Sequence, residues 1–172
     1  MEGLRRSEKK KQSVDLSIKA TWLGISKMYN LLGAPYDISH SIGFVLLNID
    51  PVDGTPATKI APLMGMEARS LTRMLKNFEE KGLIVRIPDK HDKRKVIIKL
   101  TDYGQAKREM SKQTVKVFQR RVEEKVSLDE LGVFFHVMDQ INDVIKDPKN
   151  HMFDEIRDRL KEYGITEDNL NK

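Results

Sequence analysis

Six side chains between Arg69 and Asn77 share one chemical ability. Arg69, Ser70, Thr72, Arg73, Lys76 and Asn77 all donate hydrogen bonds, and a guanidinium or amide can engage a planar edge through two atoms at once. A second set, Lys90, Lys93, Arg94 and Lys95, lies in the charged stretch PDKHDKRK, which gives way to the alternating run VIIKL. Such groups hold phosphate oxygens and read base edges, whereas bond-making chemistry needs other constellations. Those constellations are missing. The sequence has no glycine-rich phosphate loop, no nucleophile motif and no histidine placed beside a carboxylate at a telling distance, so no enzyme is expected.

Metal and redox chemistry fare no better. The histidines, His40, His91, His136 and His151, lie far apart and form no His-x-x-x-His pair, so neither a metal nor a cofactor is expected. With no cysteine, disulfides, thiolate zinc sites and thiol redox sensors are excluded.

The formal charge of +5 is unevenly spread, with twelve Lys or Arg against six Asp or Glu between Glu67 and Arg108 and a nearly neutral remainder. A concentrated basic field attracts phosphate backbones at long range. A length of 172 residues suits one compact unit, and no apolar run approaches the roughly 20 residues a membrane span requires. The start, MEGLRRSEKKK, lacks the apolar core of a secretory signal; the expectation is a cytoplasmic protein with no membrane partner.

The elements that must carry these residues follow from apolar spacing. Val14, Ile18, Trp22, Ile25, Tyr29 and Leu32 mark one face of a first helix, which GAP (residues 33–35) ends. Ile42, Val45, Leu46 and Ile49 mark a second, closed by DPVDG (residues 50–54). Thr55 as N-cap and Pro56 at the first helical position predict a third helix with Ile60, Leu63 and Met64 inward, held to barely two turns by Pro62. Leu71, Leu75 and Phe78 give a fourth helix its inward face, running to Lys81 with Gly82 as the stop. The six donors above fall on its outer side.

Residues 83–87 and 95–100 read as a two-stranded hairpin around the charged tip. Thr101 then caps a helix reaching about Lys125, and the capping box SLDE (residues 127–130) starts another with Leu128, Leu131, Phe135, Met138, Ile141 and Ile145 inward. DPKN (residues 147–150) ends it. A final amphipathic segment carries Phe153, Ile156, Leu160 and Tyr163, with Gly164 as its stop.

Three short helices followed by a hairpin is the order of a winged helix-turn-helix, mainly α with a small β-hairpin wing. In that arrangement the outer face of the fourth helix meets duplex DNA, with Thr58 as a further contact, and the basic hairpin lies along the backbone. A merely solvated basic face, or a winged-helix module that binds protein or RNA, remains open on this evidence.

The stretches SLTRMLKNFEEKGLIVR (residues 70–86) and DKRKVIIKLTDYG (residues 92–104) resemble the MarR (multiple antibiotic resistance regulator) family. The likeness includes Thr72, Phe78-Glu79, Gly82-Leu83, Asp92-x-Arg94 and Leu100-Thr101-x-x-Gly104, with Ile60-Ala61 in the preceding helix. It runs from about Val14 to about Lys146; Pro62 and the segment after Lys146 depart from it. The resemblance implies bacterial transcription regulators, often repressors, that bind near-palindromic operators as homodimers and in many cases release DNA when a small effector binds. It also implies that Arg94 enters the minor groove and that Asp92 orients it, which suits the negative potential of a narrow groove.

The domain organisation expected is a flexible basic tail at 1–12, helical dimerisation regions at 13–36 and 101–146, a DNA-binding region at 37–100 and an amphipathic extension at 147–172. The apolar faces of the first and the two C-terminal helices exceed what a small three-helix core covers and favour a homodimer, with a monomer whose long helices pack together as the alternative. Trp22, Met28, Tyr29, Tyr36 and His40 cluster near the junction of the first two helices, where the resemblance would put an effector pocket of unspecified ligand class; plain core is the other reading of such residues.

Overall fold

The computed structural model describes residues 13–63, 65, 67–89, 92–93, 95–146 and 151–166. The expected N-terminal tail, the DPKN stop, and Met64, Lys90, His91 and Arg94 lie outside the described residues. Two compact units divide at Arg120 and Arg121.

In the first unit, α1 spans Val14–Gly33 and ends in a 3-10 turn at Ala34–Tyr36. Helix α2 (His40–Leu47) starts at Ser39, whose hydroxyl accepts the Ile42 amide at 3.2 Å, a side-chain N-cap. The chain then forms β1 (Thr55–Pro56), α3 (Ala57–Leu63), α4 (Ala68–Glu80), β2 (Ile84–Pro88), β3 (Val96–Leu100) and α5 (Asp102–Glu123).

Two expectations change here. Thr55 does not cap α3; its hydroxyl accepts the Asp50 amide at 2.9 Å, and with Pro56 it forms an edge strand paired to β3 at Thr55↔Ile98 and Pro56↔Ile97. Proline is tolerated at an edge because its missing donor need face no neighbour. The wing is therefore a three-stranded antiparallel sheet in the order β1-β3-β2, not a two-stranded hairpin, and Pro88 pairs with Val96 rather than sitting in the tip. Pro62 lies in the last turn of the seven-residue α3.

The core draws on α2, α3, α4, β2 and β3. Val45, Leu46 and Ile49 meet Ile60 of α3, Leu71, Leu75 and Phe78 of α4, and Ile84 and Ile98 of the sheet, all at most 3% exposed. Full burial of such side chains contributes about 1.5–3 kcal/mol each, so this cluster fixes the angle between α4 and the wing. Gly82, at φ +67°, stops α4 and turns the chain into β2.

Thr101 forms the next corner. Its hydroxyl donates to the Gly82 carbonyl at 2.6 Å and accepts the Gly104 amide at 3.0 Å, while its own amide donates to the Leu83 carbonyl at 3.1 Å. One residue thus caps α5 and ties it to the junction of α4 and β2. Further along, α5 holds the segments on both sides of α2: Gln105 Nε2 donates to the Pro51 carbonyl after it at 2.8 Å, and Lys107 Nζ donates to the Tyr36 carbonyl before it.

The second unit contains the end of α5, α6 (Leu128–Lys146) and α7 (Met152–Glu162). The capping box forms as read: Ser127 N–H donates to Glu130 at 2.9 Å, and Glu130 N–H donates to Ser127 Oγ at 3.3 Å. Of the expected inward face of α6, Leu131, Met138 and Ile141 are half-buried, whereas Leu128, Phe135 and Ile145 are exposed. Phe153, Ile156 and Leu160 of α7, and Tyr163 just past its end, are exposed as well.

Candidate functional site

Helix α4 separates its two faces sharply. Leu71, Leu75 and Phe78 are buried, and Arg69, Ser70, Thr72, Arg73, Lys76 and Asn77 are all exposed, as the three-four spacing requires. Among the described residues, Arg69 and Arg73 have no carboxylate within ion-pair distance, while Lys76 lies 3.9 Å from Glu80. Unpaired guanidiniums on a helix face are free to meet an outside acceptor. Thr58 is exposed in the first turn of α3.

The far end of α4 is bound to the wing through charge. Arg86 Nε on β2 donates to Glu79 at 2.8 Å, with a second contact through its terminal nitrogen. That bond holds the Glu79 carboxyl below its ordinary range and raises the Arg86 guanidinium further.

The tip is shaped by backbone pairing. Asp89 N–H donates to the Lys95 carbonyl at 2.9 Å, Lys95 N–H to the Asp92 carbonyl at 2.8 Å, and Asp92 N–H to the Asp89 carboxylate at 2.9 Å. Lys93 and Lys95 are exposed, and the Asp92 carboxylate lies 3.8 Å from the Lys95 ammonium. The expected partner of Asp92, Arg94, falls outside the described residues, as does Lys90.

The second set of candidates divides. His40 sits among aromatic rings: Trp22 edge-on at 4.9 Å, Tyr29 stacked at 5.5 Å and Phe44 tilted at 6.0 Å, with its Nδ1 3.0 Å from Ser26 Oγ. Burial lowers the pKa of His40 and raises that of Tyr29. Both stay uncharged at neutral pH. Tyr29 and His40 also border a cleft of about 420 Å³ of empty space, open in part to solvent, between α1, α2 and α5. Trp22 touches this group but does not line the cleft. Met28 is half-buried, Tyr36 is exposed, and neither lines the cleft.

Sequence reasoning missed Phe44, although it lies four residues after His40 on one helix face, a spacing that was available. It also missed Ser111 and Thr114, which reach the cleft from α5 and carry no local signal of doing so. Among the described residues, no three His, Asp or Glu gather as a metal would need, and no helix is long and apolar enough to cross a membrane.

Residues 38–96 match the sequence model of the MarR family. The HTH-type transcriptional regulator SarZ of Staphylococcus aureus (strain USA300) is 30% identical over 95 residues, which make up 55% of this chain. The chain spans 64% of the length of that curated relative. Among solved structures, the transcriptional repressor CouR, bound to a 23-mer DNA duplex, is 26% identical with a TM-score of 0.66 over 76% of this chain and 92% of that one. The S. aureus MepR–DNA complex superposes with a TM-score of 0.71 over 78% of this chain and 97% of that one. At 20% identity it speaks for the winged-helix fold alone.

Proposed function

We propose that this chain, which carries a MarR-family domain at residues 38–96, is a transcription regulator that binds a near-palindromic operator as a homodimer and responds to a small effector. The observation that carries the reading is the outer face of α4. Six exposed donors stand over three buried apolar anchors, on a helix locked to a basic wing by Arg86 and Glu79. In this arrangement Arg69, Arg73 and Asn77 read base edges, and Ser70, Thr72, Lys76 and Thr58 hold phosphates. Lys90, Lys93, Arg94 and Lys95 bring the wing to the backbone and minor groove, with Asp92 steadying the tip.

Self-association is supported by apolar side chains left exposed on the long helices, including Leu16, Leu23 and Leu31 of α1 and Val133, Phe134 and Phe135 of α6. Residues 13–36 and 101–146 then form the dimerisation region around a DNA-binding region at 37–100. A two-fold dimer presents its α4 helices to half-sites roughly 34 Å apart.

Selection of bound fragments from genomic DNA, followed by binding at several salt concentrations, tests the reading. The expected result is one enriched near-palindrome, a steep salt slope, and a loss of about 1–3 kcal/mol on Arg73→Ala that depends on the base pair contacted. Lys93→Ala should weaken all sequences alike. Flat, weak binding without sequence preference would instead mark a module for protein or RNA.

A further inference from the structure

We propose that two copies of this chain pair their α7 helices antiparallel, through a seam of Phe153, Ile156, Leu160 and Tyr163. The seam lies outside residues 13–36 and 101–146 and adds to that dimerisation region. It rests on the homodimer reading, because so small a contact needs another surface to bring the chains together.

The face lacks cover within its own unit. Phe153, Ile156, Leu160 and Tyr163 are 75, 47, 40 and 80% exposed, on a helix of eleven residues and its C-cap. A helix this short is marginal in water by itself. Past its end, the Ile165 amide donates to the Leu160 carbonyl at 3.0 Å and Gly164 takes φ +71°. Ile165 is thereby drawn alongside, and an open apolar groove runs between it and Phe153.

Charge narrows what can fill that groove. Arg157 pairs with Asp154 at 3.1 Å, Arg159 with Glu155 at 3.4 Å and Lys161 with Asp158 at 2.9 Å, so each cation of the helix has a carboxylate of its own. Between Met152 and Tyr163 three basic residues stand against four acidic ones, a poor match for nucleic acid or an anionic membrane.

A second α7 fits better, because the seam is symmetric in kind and in spacing. It reads aromatic, aliphatic, aliphatic, aromatic, at steps of three, four and three. Reversing one copy sets Phe153 against the partner's Tyr163 and Ile156 against the partner's Leu160, the two-fold arrangement of an isologous contact. Direction follows from charge: Asp154 and Glu155 lie in the first turn, Arg159 and Lys161 in the last. An antiparallel pair sets the acidic turn of one copy level with the basic turn of the other and opposes the helix dipoles. Beside the seam, Arg157 then faces the partner's Gly164 and Arg159 the partner's Met152, so no like charges meet.

Two such faces bury far less than the roughly 1,200 Å² of a stable interface, so the seam closes only between tethered chains. Helix α6 ends at Lys146 and α7 starts at Met152, which keeps each α7 within roughly 20 Å of the end of its α6. Association through α6 therefore confines two α7 helices at an effective concentration on the order of millimolar, where even a weak seam forms.

The chain has no cysteine, so single cysteines report the register without background. Full-length Ile156→Cys and Leu160→Cys chains, one of them carrying a mass tag, are mixed, left to exchange and oxidised. Facing residues come within the roughly 7 Å a disulfide needs, whereas like residues are offset by about 6 Å along the axis. The mixed disulfide should exceed either same-residue product by at least about fivefold. Asp158→Cys, two residues from both Ile156 and Leu160 and so on the far side of the helix, should give the least. Leu160→Glu, at an exposed position outside the core, should weaken self-association in sedimentation by at least about tenfold, the worth of one buried leucine.

Same-residue disulfides in excess, Asp158→Cys cross-linking as readily as Ile156→Cys, or unchanged association of Leu160→Glu would overturn the pairing. A dimer that yields none of these disulfides overturns it and leaves the homodimer reading standing. A chain monomeric at micromolar concentration overturns both.

Discussion

Replacing Gly104 by alanine tests how the wing is fixed to the rest of the first unit. A β-carbon built at Gly104 would stand 1.9 Å from the Leu83 carbonyl oxygen, 2.9 Å from the carbonyl carbon and 3.4 Å from Leu100 Cδ2. The first two neighbours are backbone, and they cannot yield freely. The Leu83 carbonyl already accepts the Thr101 amide at 3.1 Å, and Thr101 in turn holds the Gly82 carbonyl at the end of α4. Overpacking costs about 1–3 kcal/mol, and a rigid neighbour puts this site at the upper end; the gain in helix propensity returns at most about 1 kcal/mol. The net loss is about 2 kcal/mol, or roughly 4–8 °C for a chain of this size.

Gly43→Ala supplies the contrast. Its β-carbon would meet the Ser111 side chain, with Oγ at 2.9 Å and Cβ at 3.4 Å, and a hydroxyl can turn where a backbone carbonyl cannot. The same propensity gain should bring that variant within about 0.5 kcal/mol of the parent. Urea unfolding followed by circular dichroism, at one fixed protein concentration because association would shift the midpoint, measures both. A Gly104→Ala protein as stable as the parent, or less affected than Gly43→Ala, would refute the account of this corner.

Three further outcomes follow from the geometry. Ile98→Ala, which empties a fully buried position at the centre of the sheet, should lose about 2–5 kcal/mol in the same unfolding assay. Ser127→Ala, which removes one half of the capping box of α6, should lose about 1 kcal/mol, read as a fall in the urea midpoint with an unchanged slope. His40 has a folded pKa below its ordinary 6.5 because burial disfavours the cation. The unfolded chain therefore binds this proton first as pH drops, and the stability present above pH 6.5 is lost as pH falls from there through the folded value. Thermal melts from pH 7 to pH 5 should show a decline that is shallower in His40→Asn.

What could be read from the sequence is what local spacing records. Leu71, Leu75 and Phe78 repeat at helical steps, so the burial of one face of α4 and the exposure of its donors were both legible. The same holds for β2 and β3, whose β-branched runs fall within a residue of the strands they form, and for Thr101 and Ser127, whose capping partners lie three residues away. Thr55-Pro56 shows the opposite case. A threonine before proline suits a helix start and an edge strand equally, and the pairing that decided between them comes from Ile97 and Ile98, more than forty residues on. Two residues are too few for a period to show.

The same division explains the cleft and the long helices. His40 and Phe44 share a helix face and could be paired by eye, but Ser111 and Thr114 reach the cleft from a helix some seventy residues away, and nothing near them in sequence says so. An apolar stripe, for its part, states that a surface avoids water without naming what covers it. Leu128, Phe135 and Ile145 follow the period of an inward face yet stand exposed in a single chain. The glycine of Leu100-Thr101-x-x-Gly104 is the instructive exception, because there a short motif encodes a tertiary contact. Only a residue without a side chain lets the first turn of α5 lie against the Leu83 carbonyl, so the requirement of a distant backbone is written as one local residue type.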